Sequence, residues 1–198
     1  MALGLLKKHK ERFKYYEAIT GMSEIIRRSF VNNSFDGALT MLGVLLGSFI
    51  THITDPSHVL KIGLATAIAV GISGLAGAMF AESAERKRQL KELETALNRK
   101  LGKTKIKAAH DYATVLTALV DGLSPLIASI LILTPFFFVG PGDVGLAYNT
   151  SIALSLAVFF LIGAFLGKIS EDSMIITGIK LVLTGIVCMI FIFLLEGI

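Results

Sequence analysis

The sequence predicts an all-α membrane protein, a bundle of five transmembrane helices with the N-terminus cytoplasmic and the C-terminus outside. Two observations carry that prediction. Of 198 residues, 54% are hydrophobic and only 17% charged, with a mean hydropathy of +0.72, well above that of soluble domains. The charges also fall in blocks, and the apolar runs between them last about 20 residues, enough to cross about 30 Å of hydrocarbon. None of these runs alternates with period two, so helices are favoured over barrel strands.

Residues 1–30 are basic, with Phe13, Tyr16, Ile19, Ile25 and Ile26 interleaved. This pattern suits an amphipathic segment on the inner membrane surface, or else a solvated tail. It has no apolar core of signal-peptide length. Span one follows from Phe35 to about Ile53 and span two from Ile62 to Ala81, so that residues 31–82 hold the first helix pair. Small residues recur at Gly43 and Gly47 in span one and at Gly63, Ala67, Gly71, Gly74 and Gly77 in span two, a spacing that lets membrane helices approach closely.

Segment 83–111 mixes Glu with Lys and Arg and places Leu90, Leu93, Leu97 and Leu101 at helical spacing. A short cytoplasmic helix with one apolar stripe is expected there, ended by a turn at Gly102. Residues 112–198 supply span three (Tyr112 to Val139, with Asp121 inside), span four (Val144 to Gly167) and span five (Ser173 to Leu195, with Lys180 near its start). The connections 52–58 and 140–145 are short and rich in turn residues.

Lys and Arg set the orientation. Seven of the 19 precede Phe35 and nine lie between spans two and three, whereas the connection from one to two holds one and that from three to four none. The positive-inside rule then puts the N-terminus and segment 83–111 in the cytoplasm. The basic balance is explained by lipid headgroups, with no reason to invoke nucleic acid. A faint repeat is present: Phe35-Asp36-Gly37 opens span one and Val120-Asp121-Gly122 lies in span three, while Gly77-Ala78-Met79-Phe80 and Gly163-Ala164-Phe165-Leu166 end spans two and four. Two parallel helix pairs would produce it, and so would chance likeness among apolar helices.

Charge inside a bilayer costs about 2.5–3.5 kcal/mol per group on insertion scales, so each such residue needs a reason. Asp36, Met79 and Glu82 fall near the cytoplasmic ends of their spans. Two carboxylates with a thioether suit Fe²⁺ or Mn²⁺ better than Mg²⁺. Carboxylates held close together in low dielectric keep a proton that an arriving dication displaces, the minimum chemistry of a metal/proton antiporter. Asp36, Glu82 and Asp121 are the candidates for proton coupling, and Glu85 and Asp121 are secondary metal candidates. Lys180 either neutralises Asp121 or extends to the interface.

Structural roles stand beside these. Asp36 would cap a helix start after Asn32-Asn33-Ser34, Glu82 would open a solvated helix, Met79 would pack, and Glu85 and Glu92 would pair with neighbouring Lys and Arg. His52, Asp55 and His58 form either a release site on the outer face or a solvated turn. No nucleophile elbow, phosphate-binding glycine loop, His-Glu-x-x-His or redox cysteine pair occurs, so neither enzyme activity nor a resident cofactor is expected. Cys188, the single cysteine, excludes a disulfide within the chain.

Several motifs follow one another along the chain: Ser34-Phe35-Asp36-Gly37 through Thr40 to Gly43 and Gly47, Gly77 through Met79 to Glu82-Ser83, Gly122-Leu123-Ser124-Pro125, Leu161 to Gly163, and Gly178 through Gly185. Their order resembles the vacuolar iron transporter family, proton-coupled exporters of Fe²⁺ and Mn²⁺. The resemblance implies a homodimer of five-helix subunits in the cell membrane, with an ion path at the two-fold axis lined by Asp36, Met79 and Glu82. The sequence departs from the family pattern in two places: the spacing from Met79 to Glu82 is one residue shorter, and segment 83–110 is too short for the long glutamate-rich domain of eukaryotic members. Two alternatives are a scaffold that recruits a soluble partner through segment 83–110 and a transporter of another cation.

Overall fold

The computed structural model describes residues 11, 13–102, 104–140 and 142–195. Residues 13–20 are helical, and Gly21, at φ +59°, separates them from α1 (Met22–Ile50). There follow α2 (Pro56–Leu97), α3 (Lys105–Leu133, continued by the 3-10 turn Thr134–Phe137), α4 (Val144–Ile169) and α5 (Met174–Leu194). Each of α1 to α5 is long and apolar enough to cross a membrane, and the protein is a multi-pass membrane protein. Residues 1–10 of the expected amphipathic segment lie outside the described residues.

Local chemistry explains the helix ends. The Oδ1 of Asp55 accepts the Ser57 backbone N–H at 2.8 Å, and Pro56 takes the first helical position, where its missing N–H costs nothing. At the other end Asn98 turns to φ +48° after Leu97. The N–H of Arg99 reaches back to the Glu94 carbonyl, and the Glu94 carboxylate accepts the Leu101 N–H at 2.6 Å. The charged segment is therefore the continuation of span two and not a separate helix. At 42 residues α2 is about 63 Å long, twice the hydrocarbon thickness. Leu101 is buried but off this helix, so the four-leucine stripe is interrupted after Leu97.

The chain divides into two compact units, one of residues through Phe30 with Ser73–Gly122 and one of Val31–Ile72 with the chain from Leu123 onward. In the first, Tyr16 and Met22 are buried against Ala109 and Ala113 of α3, with Ile19, Ile26 and Leu116 packed around them. Residues 13–30 thus have a protein partner. Gly74 of α2 lets the backbone carbonyl of Asp121 come so close that a Cβ would lie 2.6 Å from it. That carbonyl lacks its usual intrahelical donor, because the residue four positions on is Pro125.

In the second unit Ala38, Met41, Leu42, Leu45 and Leu46 form one fully buried face of α1 at helical spacing. They pack with Val59, Ile132, Phe136 and Phe159 among others. Lipid tails are as apolar as these side chains, so close packing rather than release of water holds such helices together. Gly37 allows α1 to lie against the backbone of Pro125, where a Cβ would clash, and the buried Ser129 hydroxyl donates to the Gly37 carbonyl at 3.0 Å. Gly163 meets Gly178 in the same way between α4 and α5. The phenol of Tyr148 donates to the Ile53 carbonyl at 3.0 Å and meets Phe49 and Phe136 edge-on.

Candidate functional site

Asp36 lies fourteen residues past the first residue of α1, so it is not a helix cap. The polar run Asn32-Asn33-Ser34 is absorbed into the helix instead of starting it. Asn32, Asp36 and Thr40 recur every fourth residue and form an exposed polar line along α1, away from the buried apolar face. Asp36 and Asn32 open onto a cleft of about 340 Å³ whose other walls are Phe35 and Val31 of α1, Leu166 of α4, and Leu181 and Thr184 of α5. Carboxylate, amide and hydroxyl oxygens of this kind can hold a cation, and the carboxylate can exchange it for a proton.

Met79, Glu82, Glu85 and Asp121 belong to the other unit. Met79 is 37% exposed. Glu82 is interior to α2 and cannot open a helix. Its Oε2 accepts a hydrogen bond from Arg86 Nε at 3.2 Å, one turn further along. Arg86, only 5% exposed, also donates through Nη1 to the Thr20 carbonyl at 3.3 Å. Glu85 accepts from Arg88 at 2.7 and 3.1 Å and from Gln89 at 3.0 Å, and Arg88 also reaches Glu92 at 2.9 Å. This is the i,i+3 and i,i+4 pairing expected of a charged helix. Asp121 is half-buried on α3, and Lys180 is exposed on α5.

Among the described residues no three His, Cys, Asp or Glu side chains gather closely enough to hold a metal ion. At the connection before α2, Asp55 pairs with His58 (Oδ2 to Nδ1, 2.9 Å) and caps the helix. The Ser57 backbone N–H, first among the groups around it, holds the Asp55 carboxyl below the usual carboxylate range.

Sequence reasoning missed Thr184, a threonine in an apolar helix that signals nothing by itself, and the burial of Arg86 and His110. Arg86 sits in a run of charges, where pairing is readable from spacing but depth is not.

The VIT family model matches residues 85–196, more than half of the chain. A protein of Methanocaldococcus jannaschii, itself uncharacterised, is 35% identical over 172 residues, which cover 85% of this chain and 87% of that one.

Proposed function

The chain belongs to the VIT family of membrane transporters, and from that premise we propose that it exports Fe²⁺ or Mn²⁺ from the cytoplasm in exchange for protons. The observation that supports this best is Asp36, an exposed carboxylate within a membrane-crossing helix that opens onto a cleft with two further oxygen-bearing side chains. A carboxylate facing lipid would cost about 2.5–3.5 kcal/mol, and a wet cleft removes that cost. An empty carboxylate in such a place takes a proton, an arriving dication displaces it, and the alternation couples the two flows.

In this reading Asp36, Met79 and Glu82 are ligands of the travelling ion, with Glu85 and Asp121 secondary, and Asp36, Glu82 and Asp121 carry protons. The Met79 thioether favours a transition metal over Mg²⁺. Arg86 is the counter-ion of Glu82 while no metal is present. The protein acts as a homodimer: among the described residues no three His, Cys, Asp or Glu side chains gather around a metal ion, so a second copy would supply further ligands, and the exposed line of Asn32, Asp36 and Thr40 suits a shared wet path better than lipid. The basic N-terminal segment and the charged end of α2 face the cytoplasm.

Purified protein in liposomes, with an internal metal dye and a pH dye, provides the test. Asp36→Asn should abolish both Mn²⁺ flux and the accompanying pH change, and Glu82→Gln should reduce them at least tenfold. Unchanged flux in both variants would refute the assignment.

A further inference from the structure

Between the charged part of α2 and the start of α3 lies a second cleft, of about 260 Å³. Arg86 and Lys87 of α2 and Lys107 and His110 of α3 line it. The carboxylate in its lining, Asp111, is already held by Lys107 at 2.6 Å. Arg86 and His110 are each 5% exposed, and Arg86 Nη2 and His110 Nδ1 have no hydrogen-bond partner among the described residues. Burying a guanidinium N–H without an acceptor is costly, and Arg86, which carries such an N–H, forms part of the cleft wall beside two lysines.

We propose that this cleft binds a phosphate group, that of an anionic phospholipid. A phosphate oxygen accepts from several donors at once, and a guanidinium beside two ammonium groups is the usual protein answer to it. The remaining lining favours a lipid, because Leu90 and Val115 give the cleft an apolar side on which an acyl chain can lie. Its place on α2 agrees, since the apolar run ending at Phe80-Ala81 gives way there to Arg86-Lys87-Arg88. A helix leaving the hydrocarbon meets headgroups at that junction. Free phosphate offers the same chemistry without the chain.

The test uses lipid-depleted full-length protein in detergent and three probes: short-chain phosphatidylglycerol, phosphatidylcholine with the same chains, and inorganic phosphate. Arg86 also ties Glu82 to Thr20, so the informative variant is Lys87→Gln with Lys107→Gln. The control is Lys91→Gln with Lys100→Gln, exposed lysines that do not line the cleft. Saturable phosphatidylglycerol binding, tighter than phosphatidylcholine, weakened about tenfold by the cleft pair and untouched by the control, is the expected result. Inorganic phosphate binding as tightly, with the same residue dependence, would keep the phosphate site and overturn the lipid as its source. No saturable binding of either anion, equal binding of the two lipids, or equal loss in the control would overturn the site itself.

Discussion

Glu82 accepts a 3.2 Å hydrogen bond from the almost fully buried Arg86 one turn along α2, and the same guanidinium reaches the Thr20 carbonyl. One arginine therefore joins a candidate metal ligand to the helical residues 13–20. Its two bonds have different partners, a carboxylate and a main-chain carbonyl, and they respond differently to substitution.

Arg86→Met should lower stability by about 1–3 kcal/mol, because it leaves Glu82 without its partner and removes the link to Thr20. Glu82 is 19% exposed, so solvent recovers part of the loss. Glu82→Gln keeps an acceptor for Arg86 and the link to Thr20, and should cost less. Thermal unfolding in detergent, followed by size-exclusion fluorescence, should rank wild type, Glu82→Gln and Arg86→Met in falling order of Tm.

Gly37→Ala and Gly77→Ala should differ sharply. A Cβ at Gly37 meets the backbone of Pro125, which cannot step aside, so the variant should lose about 1–3 kcal/mol. A Cβ at Gly77 has nothing within 4 Å in one chain, and alanine is the better helix former by about 1 kcal/mol. Gly77→Ala should therefore hold or raise the Tm of a monomer. A drop in Tm together with a shift from dimer to monomer in light scattering would place this face of α2 at the subunit interface.

Ser129→Ala should cost about 1 kcal/mol, since the lost hydroxyl is buried and its bond is to the Gly37 carbonyl, at the same close approach of α1 and α3. Combined with Gly37→Ala it should be less than additive, because the larger alanine already forces the helices apart. A double-mutant cycle on Tm checks this.

The five spans were legible because apolar run length and charge blocks are read directly from composition along the chain. Helix ends were less so: Asn32-Asn33-Ser34 has the chemistry of a start, yet these residues are tolerated inside a helix, and α1 begins at Met22. Glycine spacing showed where close approach was possible without showing where it happens. Gly63 and Gly74 abut Leu133 and Asp121, whereas Gly47 and Gly77 face open space. The face of a helix that meets a neighbour depends on rotation about its axis, which a periodic pattern of small residues does not determine. For the candidate site, Asp36 stood out as a charge in a span, but its companion Thr184 comes from a helix almost 150 positions away and is brought to the cleft by tertiary packing alone.

Thr184→Val tests that companionship. The Thr184 hydroxyl donates its proton to the Lys180 carbonyl at 3.1 Å, which leaves the oxygen lone pairs as acceptors beside the Asp36 cleft. Valine keeps the shape and removes the oxygen. Thr184 is exposed, so stability should stay within about 0.5 kcal/mol of wild type. A lost cation ligand worth about 1 kcal/mol should raise the KM for Mn²⁺ roughly fivefold, with little change in maximal flux. Thr184→Ser, which restores the oxygen, should return KM toward the wild-type value. If valine leaves KM unchanged in liposomes where Asp36→Asn is inactive, the α5 wall of the cleft lies off the ion's route and Asp36 meets its cargo through α1 alone.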